Sequence, residues 1–214
     1  MLVSREMAAR HIPSASSADR AVPVTRPPGV LHVVSTVDGD DVPTWISHVQ
    51  PGLFRQHVVA VDASEESFAA LASACAGESW HLDTFLPRGD WAEFIVEFIG
   101  SREIDLVQVV MARPGVDLVP ALRASYPEVV VVVDVAGSGA CDEVWSTYVT
   151  ARYGNVIDAF CAGGADVAAT LQRARVPASR IHVAQGGAGE RDQAFAALHE
   201  DVYGRLLAAP VKEQ

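Results

Sequence analysis

The sequence predicts an α/β fold: a single Rossmann-like, doubly wound, mostly parallel sheet with helices on both faces. Three observations carry this prediction. Short β-branched runs alternate with longer amphipathic stretches along the chain. The run Val129–Val135 is valine at all but one position, which is typical of a strand buried on both faces. The chain has 214 residues, which suits one domain of this kind.

Seven strands and six helices follow from the periodicity. The strands are predicted from short apolar runs, of which the third is the weakest: Val30–Thr36, Gln56–Val61, Ser79–Leu82, Leu106–Met111, Val129–Val135, Ala159–Ala162 and Ile181–Ala184. The helices are predicted from apolar residues at helical spacing: Glu65–Ala76, a helix opening at Asp90, Gly115–Tyr126, Cys141–Tyr153, Gly164–Arg173 and about Asp192–Leu207. Asp90 and Glu93 resemble a capping box. The expected buried stripe of the last helix is Phe195, Leu198, Val202 and Leu206.

Composition excludes several classes of protein. Acidic residues outnumber basic ones by 27 to 16, for a net charge of -11, which disfavours a nucleic-acid partner. The three cysteines, Cys75, Cys141 and Cys161, are odd in number and widely spaced, which disfavours a disulfide scaffold or a zinc ribbon. No secretory signal and no apolar run long enough for a membrane span are found. We therefore expect a cytoplasmic protein.

The chain divides into three segments by composition. Residues 1–29 are rich in proline and small polar residues, and we expect a flexible arm or linker there. Residues 30–190 hold the alternating pattern, and residues 191–214 are expected to form a terminal helix and tail.

The loops that follow the strands hold the candidate site, because ligands of such sheets bind at the carboxyl ends of the strands. The first loop contains Asp38 and Gly39 but neither a dinucleotide-binding fingerprint nor a P-loop. Gly39 could offer backbone N–H groups to an anion, whereas a turn before an acidic helix start explains the same residues equally.

Asp134, with Gly137 and Ser138 after it, is the strongest candidate on local chemistry. A carboxylate at the end of the most buried strand suits a base or a hydroxyl acceptor, and is therefore the predicted catalytic group. The alternative is an aspartate that accepts N–H groups from the glycine turn. The histidines show no metal-ligand spacing, and His32, His57 and His182 are expected to pack within strands. The sequence predicts no metal site and no cofactor.

The stretch Val156–Gly187 resembles the N-terminal domain of a family-4 glycosyltransferase of the two-domain GT-B architecture. The elements that match are Ile157–Ala162, the helix Val167–Arg173, the segment Val176–Val183 (VPASRIHV) and the pair Gly186-Gly187. Leu31–Val34 and Asp105–Val110 are similar to two further strands of that family. The resemblance implies retaining transfer from a nucleotide-sugar donor to a glycosyl acceptor. The acceptor would lie in a crevice lined by Asp38, Gly39, Asp134, Gly137, Ser138, Gly186 and Gly187.

The sequence departs from the family at three places. Asp134 stands where the family commonly has a histidine, and Gln185–Gly189 replaces a turn that contains proline and aspartate. The second domain, which binds the donor in the family, has no counterpart in the 214 residues. We therefore expect an acceptor-side domain that is inactive alone and works with a second domain or chain. A non-catalytic binding or assembly module with a degenerate glycosyltransferase-like fold is the alternative, and an unrelated small-ligand Rossmann enzyme is a third, for which no fingerprint is found.

Overall fold

Seven parallel strands form one sheet in the computed structural model, which confirms the predicted fold class. The structure describes residues 26–35, 43–50, 52–110, 112–135, 140–184 and 191–208, except for the side chains of residues 140–143 and 191. The strands are β1 (Gly29–Val34), β2 (Arg55–Ala60), β3 (Ser79–His81), β4 (Ile104–Val110), β5 (Val130–Val135), β6 (Ala159–Ala162) and β7 (Ile181–Val183). Their order across the sheet is β3-β2-β1-β4-β5-β6-β7. The order reverses between β1 and β4, so this is the switch point at which such sheets open a crevice.

Among the described residues, six α-helices lie between strands and a seventh, α7, follows β7: α1 (Glu65–Ala74), α2 (Trp91–Arg102), α3 (Arg113–Asp117), α4 (Val119–Ser125), α5 (Ala140–Tyr153), α6 (Ala165–Arg173) and α7 (Arg191–Ala208). The single helix predicted over Gly115–Tyr126 is wrong, because two short helices, α3 and α4, occupy that interval. Pro120 lies in the first turn of α4, where a missing N–H costs nothing, and it therefore starts a new helix.

The cap predicted at Asp90 is also corrected by the structure. Asp90 precedes α2, but its side chain makes no capping hydrogen bond, because the residue ends a 3₁₀ turn and already has helical backbone angles. The hydroxyl of Ser64 is a true cap, since it accepts from the Ser67 N–H at the start of α1.

The two faces of the sheet are covered by different elements. On one face, side chains such as Leu31, Val109 and Val133 pack against helices α2 to α6. On the other face, α1, α7 and a 3₁₀ helix (Thr44–His48) cover the alternate side chains of the same strands. Among the described residues, no helix combines the length and apolar character that crossing a bilayer requires.

Candidate functional site

A row of buried polar side chains crosses the face of the sheet that α7 covers. Five adjacent strands each contribute one member, in the order Gln56, His32, Gln108, Asp134 and Cys161. His32 lies beside Gln108, and Asp134 lies beside Cys161, in the register of the strands. Since successive side chains of a strand point to opposite faces, this row shares its face with valines such as Val30 and Val132. Such a row in the centre of a sheet is unusual, because buried polar groups must find partners there.

Helix α7 supplies the partners. His199 and Tyr203 are one turn apart, so both side chains face the sheet, and both are fully buried. The Tyr203 hydroxyl is hydrogen-bonded to the side-chain amide of Gln108. The ring of Trp45, from the 3₁₀ helix, stacks on the His199 ring with centroids 4.0 Å apart. The polar row, His199, Tyr203 and Trp45 are called the buried network below.

His199 and Asp134 form a charge pair at the centre of the buried network. Nε2 of His199 lies 2.9 Å from Oδ1 of Asp134, and neither side chain is exposed to solvent. Nδ1 of the same ring donates to the Phe195 carbonyl at 2.7 Å, since a carbonyl can only accept. Burial lowers the pKa of His199. The charge of Asp134 and the contact with Cys161 together raise it by more than burial lowers it, so the pKa lies well above the usual value. The raised pKa favours the charged ring, and the pair is then a buried salt bridge. The side-chain amide of Gln108 lies 2.7 Å from the same Nε2, so it must present its oxygen to the charged ring.

His32, by contrast, is neutral. Burial, followed by the charge on His199, lowers its pKa to about 4. Its Nδ1 lies 3.0 Å from the side-chain amide of Gln108, and its Nε2 lies 3.2 Å from that of Gln56. A neutral ring donates through one nitrogen and accepts through the other, so one amide presents its oxygen and the other its NH₂ group. The two glutamines thus hold a neutral histidine next to a charged one.

Of the predicted site residues, the structure describes only Asp134. Asp38, Gly39, Gly137, Ser138, Gly186 and Gly187 lie outside the described residues. The residues that precede these segments are described: Ser35, Val135 and Ala184 follow or end β1, β5 and β7. Because all strands are parallel, the three segments start at the same edge of the sheet.

Asp134 itself points into the protein beneath α7. Its carboxylate is fully buried, and Oδ2 has no hydrogen-bond partner among the described residues. The carboxylate can reach a bound ligand only if α7 moves. The catalytic role of Asp134 stays a prediction, and it requires a movement of α7.

Sequence analysis did not find the partners of Asp134. In the stripe expected on α7, Phe195 and Val202 are buried as predicted, but Leu198 and Leu206 are only half-buried, whereas His199 and Tyr203 are fully buried. The burial predicted for His32 and His57 is confirmed, and His182 is half-buried. A glutamine and a histidine inside apolar strands were the available signal, because each needs a buried partner.

The same centre brings together three potential metal ligands. One ligand atom each of Asp134, Cys161 and His199 lies within 4.8 Å of the others. Burial raises the pKa of the Cys161 thiol, so this thiol is neutral without a bound cation.

No protein-family model matches the chain, and no curated protein matches its sequence. Solved structures do match its fold. UDP-N-acetylglucosamine 2-epimerase from Rickettsia bellii aligns over 86% of this chain and 52% of its own, with a TM-score of 0.53 and 14% identity. Anabaena Alr3699/HepE in complex with UDP aligns over 74% of this chain and 44% of its own, with a TM-score of 0.55 and 10% identity. S. aureus MnaA, solved with UDP, aligns over 78% of this chain and 46% of its own, with a TM-score of 0.53 and 14% identity.

The fold is half of a GT-B architecture. The chain spans about half the length of the structures that it matches, since it covers 44% to 52% of theirs. Identities of 10% to 14% establish the fold and nothing finer.

Proposed function

We propose that this chain is one half of a GT-B-type enzyme that acts on UDP-sugars. The observation that carries the proposal is the alignment of its seven-stranded sheet with half of several structures solved with UDP or a UDP-sugar. These include HepE with UDP-glucose and a UDP-GlcNAc 2-epimerase from Neisseria meningitidis with UDP-GlcNAc. The other half of the nucleotide-sugar site would come from a second domain or chain.

Within that proposal, the chain supplies the acceptor side of the site. The segments that contain Asp38, Gly137 and Gly186 start at the carboxyl ends of β1, β5 and β7, and β1 is one of the two strands at the switch point. A second domain that faces these strand ends would close a cleft over them. The reaction is retaining transfer to a glycosyl acceptor, as in the family-4 enzymes that the sequence resembles.

The division of the chain, its cellular location and the class of its partner belong to the same proposal. The arm of residues 1–29, the domain of residues 30–190 and the terminal segment of residues 191–214 remain our division of the chain. The free, buried thiols of Cys75 and Cys161 support a reducing, cytoplasmic location. The acidic balance of the chain supports a partner other than nucleic acid.

A second candidate is a non-catalytic module with the same fold. The observation that favours it is the cover over Asp134, whose carboxylate is paired with His199 and shielded from solvent by α7. An aspartate that is buried and paired with a histidine in this way has a structural role that needs no substrate.

One experiment separates these candidates. With a panel of sugar acceptors present, UDP release from UDP-glucose and UDP-GlcNAc is measured with the purified chain alone. The measurement is repeated after addition of a donor-binding domain encoded beside this chain or in the same reading frame. We expect release only from the mixture. Release by the chain alone would contradict the need for a second half. If neither sample releases UDP and the mixture binds neither sugar nucleotide, the chain is the non-catalytic module.

Two readouts refine the result. NMR of the products distinguishes transfer, which leaves UDP and a glycoside of retained configuration, from epimerisation, which leaves a UDP-sugar. In the active mixture, Asp134→Ala tests the predicted catalytic group. Unchanged kcat and KM in a folded variant would remove Asp134 from the reaction.

A further inference from the structure

The centre of the buried network has the composition of a metal site. Asp134 lies one residue before the end of β5, Cys161 lies beside it on β6, and His199 projects from α7 toward both. Their ligand atoms lie within 4.8 Å of one another, and all three side chains are fully buried. In a tetrahedral zinc site the ligand atoms are roughly 3.3 to 3.6 Å apart, as the usual metal–ligand bond lengths require. Shifts of about 1 Å would therefore bring the three atoms to coordination distance.

The orientation of His199 fits a ligand. Histidines that bind metals usually donate their second N–H to a carbonyl or a carboxylate, which fixes the ring and directs the other nitrogen at the metal. Nδ1 of His199 makes this bond to the Phe195 carbonyl at 2.7 Å. Nε2 is consequently directed at Asp134, 2.9 Å from its Oδ1.

Asp134 supplies the independent observation. Its Oδ2 is buried and has no hydrogen-bond partner in the part of the chain that the structure describes. An unpaired carboxylate oxygen in a dry interior is costly, and the salt bridge to His199 satisfies only the other oxygen. A bound cation would use the lone pairs of Oδ2. It would replace the Nε2 proton of His199 and the thiol proton of Cys161, and both protons would leave to solvent.

Charge balance favours a divalent ion. One carboxylate and one thiolate neutralise a dication, and the neutral imidazole adds no charge, so the loaded centre carries no net charge into the interior. Nitrogen, sulfur and oxygen ligands together suit zinc and its neighbours among the transition metals and do not suit magnesium or calcium.

We propose that Asp134, Cys161 and His199 form a structural site for a divalent transition-metal ion of the zinc type. The ion ties α7 to strands β5 and β6. Gln108 contacts His199, Tyr203 contacts Gln108, and both side chains are buried, so they help to close the site from solvent. This proposal does not rest on the nucleotide-sugar function, and it gives Asp134 a structural role in place of the predicted catalytic one.

The test is a cobalt titration of the untagged chain, purified in the presence of a chelator and then freed of it. Cobalt(II) bound to a thiolate gives a charge-transfer band in the near ultraviolet, and tetrahedral cobalt gives visible bands. We expect both to saturate at one equivalent and to disappear on addition of zinc. Absence of the thiolate band in the wild-type chain overturns the proposal.

Cysteine variants locate the ligand. Cys161→Ser should lose the thiolate band, whereas Cys75→Ser, which also removes a buried thiol, should keep it. Cys141→Ser, at the third cysteine, is the second control. A band that persists in Cys161→Ser overturns the assignment, and so does a band lost in either control.

If Cys161→Ser fails to fold, a measurement on the wild-type chain still tests the proposal. X-ray absorption of the zinc-loaded wild-type chain should show one sulfur ligand and otherwise nitrogen and oxygen. A shell without sulfur, or with more than one, excludes the proposed site.

Discussion

Protonation of His32 sets an expected acid limit on the stability of the fold. The ring is held neutral beneath α7, with a pKa of about 4 that results from burial and from the charge on His199. In the unfolded chain the same ring has a pKa of about 6.5. A histidine whose pKa is lowered by folding contributes stability that is complete above about pH 6.5. This stability is lost as the pH falls toward 4, because the unfolded chain then binds the proton more tightly.

The magnitude follows from the two pKa values. At about pH 5 the unfolded ring holds nearly one proton and the folded ring holds about a tenth of one, which corresponds to a loss of about 2 kcal/mol relative to pH 7.5. The full shift, reached below about pH 4, corresponds to about 3 kcal/mol. The charged groups near the ring are His199 and Asp134, and both act on it in the folded state alone.

The assay is urea unfolding followed by tryptophan fluorescence, with EDTA present, at pH 7.5 and pH 5. His32→Gln should lose about 2 kcal/mol less than the wild type between these pH values, because carboxylates and other histidines contribute equally to both proteins. His48→Gln, on the exposed side of the 3₁₀ helix, controls for replacing a histidine outside the buried network. Equal acid losses in His32→Gln and the wild type would refute the reasoning. NMR titration of the wild-type ring gives a second check, since a pKa near 6.5 in the folded protein contradicts its burial as a neutral group.

Three further predictions concern stability, measured by urea unfolding at neutral pH. Asp134→Asn and His199→Gln should each lower the free energy of unfolding by about 3 to 5 kcal/mol, because each leaves half of a buried ion pair. The double variant should lose less than the sum of the two single losses. Additive losses would show that the pair is not coupled. Gly77→Ala should destabilise the fold strongly, because its new methyl carbon would lie 1.7 Å from a backbone oxygen. In the control Gly89→Ala, the methyl carbon meets nothing within 4 Å, so the stability should hardly change. Equal stability of the two variants would contradict this reasoning. Arg123 donates to three backbone carbonyls that precede β5 and β6 and forms an ion pair with Asp158. Arg123→Ala should therefore lower the free energy of unfolding by about 1 to 3 kcal/mol, and Arg123→Lys should recover little of it, since ammonium cannot reproduce the guanidinium fork.

The strands could be predicted from sequence because their signal is local. The valine run expected at Val129–Val135 is observed at Val130–Val135, and Ala159–Ala162 is observed with the expected bounds. Errors arose where the outcome depends on neighbours in the chain that periodicity ignores. Pro120 divides a helix that looks continuous, and the turn before Asp90 removes its capping geometry.

The candidate site could be predicted only in part, for a different reason. Asp134 stands out locally, as a charge that interrupts a run of valines. Its partner His199 is 65 residues away and lies on a helix whose buried face includes polar rings. An amphipathic pattern treats such rings as solvent-facing, so no local rule places His199 against the sheet. Long-range polar pairs of this kind become visible only when the fold brings the strands and the helix together.

The distance in sequence between Asp134 and His199 also matters during synthesis. At usual rates, the ribosome takes roughly 3 to 13 s to add the 65 residues from Val135 to His199, and throughout that time Asp134 lacks the partner that it has in the folded protein. A sheet that formed before α7 was complete would expose the amide, imidazole, carboxylate and thiol groups of the polar row to water. Because such groups are hydrated, this surface would attract other nascent chains less than the same surface made of valine.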